Sequence, residues 1–262
     1  AGVRLTEDVT RRFAAALEKA RLPEAERIAQ AEAFRRSWAR VNATDTAAAL
    51  IDVTILQPAV KAIDEQFKDQ PVVDAQLRQA LADRYRKLGL LDASVPLQES
   101  ALATRRRVLG EEHPDTLTSI DSLGLLLQDQ GRLAEAEPYC REALERRRRA
   151  LGEEHPDTLL SINNLGVLLR MQGKPDEAGT YTREALEKYR RVLGEEHPRT
   201  LNAIGNMGVQ LWEQGKPAEA EPYYREALEK RRRVLGEDHP STLASLSNMG
   251  FFLDSQGWFA EA

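Results

Sequence analysis

Cysteine is nearly missing from the 262 residues: Cys140 stands alone, so no intrachain disulfide can form and nothing points to an oxidising compartment. Aromatic residues are scarce as well, 6% against 42% hydrophobic and 30% charged residues. An Ala-, Leu-, Glu- and Arg-rich chain with so few rings points to helices, not sheets. Positive charge is not in excess. A net charge of −5 and an isoelectric point near 5.6 argue against a molecule built to coat nucleic acid. No apolar run approaches the roughly 18 residues of a membrane helix and no signal peptide opens the chain, so neither a membrane nor secretion is expected, and a cytoplasmic protein is.

What the chain has in abundance is repetition. Leu151-Gly152-Glu153-Glu154-His155-Pro156-Asp157-Thr158-Leu159 is one copy of a nonapeptide that begins again at Leu109, Leu193 and Leu235, each 42 residues from the last. Between copies, Leu165-Gly166 recurs as Leu123-Gly124, Met207-Gly208 and Met249-Gly250, and Gln172-Gly173 as Gln130-Gly131, Gln214-Gly215 and Gln256-Gly257. A fixed period of this size defines a repeat array. The predicted organisation is an N-terminal helical segment or cap over 1–71 and an array over 72–262. Within the array, 72–109 is degenerate, 110–151, 152–193 and 194–235 are full copies, and 236–262 is truncated. A start at Ala-Gly and a stop inside a repeat, at Glu261-Ala262, are what a segment cut from a longer protein would show.

Ahead of the array, Leu5, Val9, Phe13, Ala16, Leu17 and Ala20 fall on one helical face, and Ile28, Ala31, Phe34, Trp38 and Val41 on a second, with Pro23 between. A further helix is predicted from an N-cap at Thr44 or Asp45 through Phe67, with Pro58 able to kink it. Within one copy, Pro156-Asp157-Thr158 opens a helix whose apolar stripe is Leu159, Ile162, Leu165, Leu168 and Leu169. Gly173 ends it, and Pro175-Asp176-Glu177 starts a second helix. Ala178, Tyr181, Ala185, Leu186 and Val192 should face back onto the first, with Gly166 and Ala178 permitting close approach. Neither helix can bury its stripe alone, so copies must stack. Pro138 and Pro222 sit several residues into the second helix, where Thr180 stands in the middle copy; proline is tolerated there and not required.

Leu165-Gly166 with Leu169, Gly173, Ala178 and Ala185 resembles the helix-turn-helix tetratricopeptide repeat. The usual period of about 34 residues is lengthened here by about two turns, which resembles the repeats of kinesin light chains and of many bacterial signalling proteins. The family's usual large residue early in the first helix is Ile120, Ile162, Ile204 or Leu246 here. The resemblance implies an all-α, right-handed α-solenoid whose concave wall, lined by the first helices, binds an extended peptide or partner protein. It also implies that an Asn just before the Leu-Gly pair holds ligand backbone. Asn164, Asn206 and Asn248 occupy that place; Ser122 and Ala80 do not. An amide suits the task because it is donor and acceptor at once. Satisfying neighbouring helix groups is the alternative role. Further groove positions implied are Asn163, Asn202, Arg170, Trp212, Glu213, Asp121 and Gln128, with Leu125, Val167, Val209 and Phe251 beside them. Trp212 serves equally well as packing between repeats.

Sharper chemistry finds little support. His113, His155, His197 and His239 occupy one linker position, so equivalent atoms lie on the order of 10 Å apart, too far for shared metal ligation near 2 Å. Linker packing is the better reading, and no cofactor is expected. The basic runs Arg146 to Arg149, Arg190-Arg191 and Arg231 to Arg233 could attract phosphates, yet Glu142, Glu145, Glu153 and Glu154 lie close enough to make them a solvated, self-neutralised face. Cys140 reads as buried filler. The reading favoured by the sequence is a non-enzymatic interaction scaffold. The alternatives are the regulatory region of a larger signalling enzyme, such as a bacterial kinase, and a nucleic-acid binder using the arginine stripe. Self-association through the truncated last repeat is also expected.

Overall fold

The computed structural model describes residues 11, 23–38 and 43–256. Every described regular element is helical. The chain divides into two compact units, residues 1–97 and 98–262. The predicted stripe from Leu5 to Ala20 and the last residues, 257–262, lie outside the described residues.

In the first unit, Pro23 precedes helix α1 (Glu24–Trp38), and its carbonyl accepts from the N–H groups of Glu26 and Arg27, so the proline marks a helix start as expected. Helix α2 (Ala43–Ile51) begins a residue or two before the predicted cap. It runs through one π-helical stretch, Asp52–Leu56, into α3 (Gln57–Gln66). The anticipated kink at Pro58 is absorbed in that wide turn: proline has no N–H to donate and its ring crowds the carbonyl four residues back, and a π register relieves both. Helix α4 (Pro71–Lys87) follows, and then α5 (Leu91–Leu109), which carries Pro96 in its interior. Leu56, Ala82, Tyr85 and Leu97 form this unit's core. One expectation is corrected here. Thr46–Gln66 is long and apolar enough to cross a membrane by length and composition, with mean hydropathy 1.4 over its best window. The apolar residues are spread between polar ones, which hides the run from a reading that seeks an unbroken stretch.

In the second unit the 42-residue period becomes a helix pair per copy. First helices are α6 (Pro114–Asp129), α8 (Pro156–Met171), α10 (Pro198–Glu213) and α12 (Pro240–Ser255). Second helices are α7 (Leu133–Leu151), α9 (Pro175–Leu193) and α11 (Pro217–Leu235). Each packs against its partner and the next first helix, which makes the unit an all-α repeat solenoid. Leu159, Ile162, Leu165, Leu168 and Leu169 are essentially fully buried, as the stripe required. Facing them are Ala178, Ala185, Leu186 and, in place of the predicted Val192, Tyr189; Val192 lies more than a third exposed. Gly166 is the close-approach point, where an added Cβ would stand 3.1–3.3 Å from Tyr181 and Thr182. Gly173 (φ 73°) and Gly194 (φ 87°) hold the left-handed backbone that ends each helix.

The repeated histidines have a defined job. Each is the N-cap of a first helix, its Nδ1 accepting the backbone N–H two residues on at 3.1–3.2 Å, with proline at the next position. Glutamines of the Gln-Gly pairs tie copies together. Gln172 donates to the Leu133 carbonyl (2.9 Å) and Gln214 to that of Pro175 (3.1 Å), each at the start of the preceding copy's second helix.

Candidate functional site

Successive first helices are linked by side chains 43 residues apart. Asn164 donates to the Asp121 carboxylate (3.3 Å), Asn206 to the Asn163 amide oxygen (2.9 Å), and Arg170 to Glu213 (2.6 Å). Stacking by one period places each copy's polar position beside the next, which is why one residue type at one register builds a ladder. The predicted groove residues all lie on first helices, at different depths. Asp121 and Asn164 are buried, at 4% and 8% exposure. Asn163, Asn206, Arg170, Gln128 and Trp212 are half-buried, while Asn202, Glu213 and Asn248 are exposed. Trp212 packs against the core edge with Val209. Leu125, Val167 and Val209, half-buried, and Phe251, exposed, repeat at 42-residue steps and add an apolar column to the polar one.

Beneath this wall lies a feature that the sequence reading missed. The solvated face expected of the basic runs does not hold for Arg147 and Arg231, which are buried, as is Arg105 of the degenerate copy. Each donates to a serine 14 residues on, in the next first helix: Ser119, Ser161 and Ser245. Each also donates to that helix's first-turn carbonyl, of Asp115, Asp157 or Ser241. The equivalent position in the remaining copy is Tyr189, and its serine becomes Ala203; the Tyr189 hydroxyl is buried without a hydrogen-bond partner among the described residues. That paired switch between copies, Arg with Ser and Tyr with Ala, was the available signal. Arg147 also meets the Asp121 carboxylate at 3.2 Å. Arg231 has Gly205 at the corresponding place and bonds to Asn202 Oδ1 (2.6 Å) and the Leu201 carbonyl instead. Burial lowers the Arg231 pKa with no carboxylate opposing it.

The remaining basic residues are largely committed to acids. Arg106, Arg148 and Arg190 pair with Glu142, Glu184 and Glu226 of the next copy, each at 2.8 Å. Lys188 and Lys230 bridge linker acids Glu153 and Glu195. Burial pushes the Cys140 thiol up to about 12, which keeps it protonated and unreactive at neutral pH. Among the described residues no three His, Cys, Asp or Glu side chains are grouped as metal ligands would be.

Tetratricopeptide repeat models match residues 118–190, 161–232 and 199–262, and another matches 75–115. The chain belongs to the tetratricopeptide repeat family. Its repeats are of the 42-residue, kinesin-light-chain-like type. Similar solved structures include a kinesin light chain-type protein of Podosopora anserina with nearly identical TPR-like repeats. It is 25% identical, has a TM-score of 0.61, and is covered over 72% of this chain and 89% of that one. BtubC (BKLC) from P. vanneervenii is 21% identical with a TM-score of 0.65, covering 84% and 87%. No curated protein is detectably similar to the chain.

Proposed function

We propose that the first-helix wall of α6, α8, α10 and α12 binds an extended peptide segment of a partner protein, within the general role of tetratricopeptide repeats as interaction scaffolds. The observation that carries this reading is the pairing of two columns on one wall, side-chain amides beside Leu125, Val167, Val209 and Phe251. An amide engaged through one N–H keeps a second N–H and further carbonyl capacity for a ligand backbone. Asn206 is so engaged, by Asn163, and Asn248 stands exposed. An extended chain rises about 3.3 Å per residue, so amides roughly 10 Å apart, one helix diameter, meet about every third ligand residue. Asn202, Arg170, Trp212 and Glu213 flank that path, while Asp121 and Gln128 shape its first copy.

A pull-down with the array as bait supplies the partner. Replacing Asn164, Asn206 and Asn248 together by Ala should then weaken binding by about 1 kcal/mol or more per lost hydrogen bond. The far-UV helical signal should be retained, because Ala is the better helix former. Unchanged affinity with an intact fold would remove the amides from the ligand and leave them as ties between repeats.

A second contact follows from α12, where Leu243, Leu246 and Phe251 are 49%, 46% and 68% exposed. Exposed apolar side chains favour association, and we infer that α12 contacts a second copy. Sedimentation of wild type against Phe251→Lys checks it: concentration-dependent growth should be lost in the variant.

A further inference from the structure

The π-helical stretch turns Asp52 toward α4, where the Tyr85 hydroxyl donates to one carboxylate oxygen at 2.6 Å. Gln57 donates to the other oxygen at 3.0 Å. Two neutral donors thus fix the carboxylate, and no cation among the described residues lies within ion-pairing distance of it. Beside it opens a cleft of about 510 Å³ with an apolar floor of Val60, Ala93, Pro96 and Leu97. Of the two basic residues that line it, Arg78 is held between two acids, whereas Lys61 is exposed and only loosely paired. Arg78 is held by Asp64 (2.5 Å) and Asp74 (2.8 Å), and Lys61 lies 3.8 Å from Glu65. The lining itself balances two carboxylates, Asp52 and Asp64, with two cations, and Asp52 is the carboxylate with no ion pair among the described residues.

Such a cleft asks for a particular shape of ligand. A carboxylate with spare lone pairs takes an N–H donor carrying positive charge more strongly than a neutral one. The apolar floor takes methylene groups, whose burial removes apolar surface from water. Both conditions are met by a cation on a short alkyl stem. A carboxylate ligand would set a second negative charge against Asp52, and a neutral apolar one would leave Asp52 facing it without a countercharge. We propose that this cleft is a binding site for an alkylammonium or alkylguanidinium group, with Asp52 as counter-ion and Val60, Pro96 and Leu97 against the alkyl stem. Tyr85 is the positioning residue. Its hydroxyl stays a donor because burial and the Asp52 carboxylate both raise its pKa.

Titration of the 262-residue chain with n-hexylammonium, followed by calorimetry and by nuclear magnetic resonance, tests this. Saturable binding is expected, with hexanoate and 1-hexanol binding far more weakly. Asp52→Asn keeps an acceptor for Tyr85 and removes the charge, so it should weaken hexylammonium about tenfold or more, the value of one hydrogen bond to a charged group. Val60→Trp, which fills the cleft and leaves Asp52 in place, should weaken hexylammonium and 1-hexanol alike. A capped lysyl peptide that competes with hexylammonium assigns the natural group to a protein side chain; failure to compete assigns it to a free amine. Absence of saturation in the wild type, or equal affinity in a folded Asp52→Asn chain, overturns the proposal.

Discussion

A guanidinium withdrawn from water persists only where its N–H groups find acceptors and its charge finds company. Arg147 has both, in Ser161, the Asp157 carbonyl and Asp121. Arg231 has acceptors alone, and the place corresponding to Asp121 is Gly205, where an added side chain would meet open space. Gly205→Asp should therefore raise stability by about 1.5 kcal/mol beyond Gly205→Ala, the worth of a hydrogen bond to a charged group; the Ala variant isolates the helix-propensity part. Urea midpoints of the two variants compare them, and an Asp no better than Ala removes the countercharge argument. The histidines permit a second test. His155 caps α8 through Nδ1. His155→Ala should cost about 1 kcal/mol and His155→Asn much less, because asparagine offers an oxygen at similar reach. Neither feature was legible from residue type. Histidine is not among the usual capping residues, and an arginine run next to glutamates has the composition of a solvated face whichever member points inward.

Elements were more legible than residues, because a 42-residue period repeats its punctuation. The Pro starts, Gly ends and apolar stripe of α8 and α9 all lie where the pattern puts them. Val192 differs because two positions three residues apart near a helix end share one apolar stripe, and the larger Tyr189 fills the interior. The π stretch before Pro58 had no local signature, since it depends on how α2 and α3 keep one axis across a missing donor. Close approach of α8 and α9 rests on Gly166. Gly166→Leu should overpack that contact and cost roughly 1–3 kcal/mol; a variant melting like wild type would reassign the helix contact. Electrostatic ties between copies make stability fall in acid. Lys174, across the repeat boundary, and Arg141, one turn on in α7, hold Glu137 down to about 2 from an ordinary 4.5, although burial opposes them. A carboxyl depressed in the folded state stabilises above its unfolded value, and that contribution is lost as pH falls from about 4.5 toward 2. Glu137→Gln should flatten the stability profile over this window and leave the higher-pH branch parallel to wild type.

At the scale of the whole array, the links described above either stay within a copy or join it to its neighbour, and none reaches beyond. The Asn163–Asn206 bond, the Arg148–Glu184 pair, the Gln172–Leu133 tie and the Arg147–Ser161 bond all span one repeat boundary. Stability in such a stack is a sum of repeat terms and nearest-neighbour interfaces, not the property of one core. A copy flanked on both sides is then held by two interfaces, as α8 and α9 are, with buried residues that include Leu159, Leu168 and Tyr189 near zero exposure. Helix α12 is held chiefly by α11, and its apolar residues Leu243, Leu246 and Phe251 stay exposed. Amide exchange should accordingly be slowest in α8 and α9 and progressively faster toward α12, because local opening needs to break only the interfaces of the segment that opens. Destabilising one interface should move protection locally: Gly166→Leu should speed exchange in α8, α9 and their immediate neighbours while α12 keeps its wild-type rate. Mass-spectrometric exchange of wild type and variant decides between the two pictures. Uniform protection from α6 to α12, shifted equally everywhere by the substitution, would mean the array unfolds as a single unit despite its nearest-neighbour wiring.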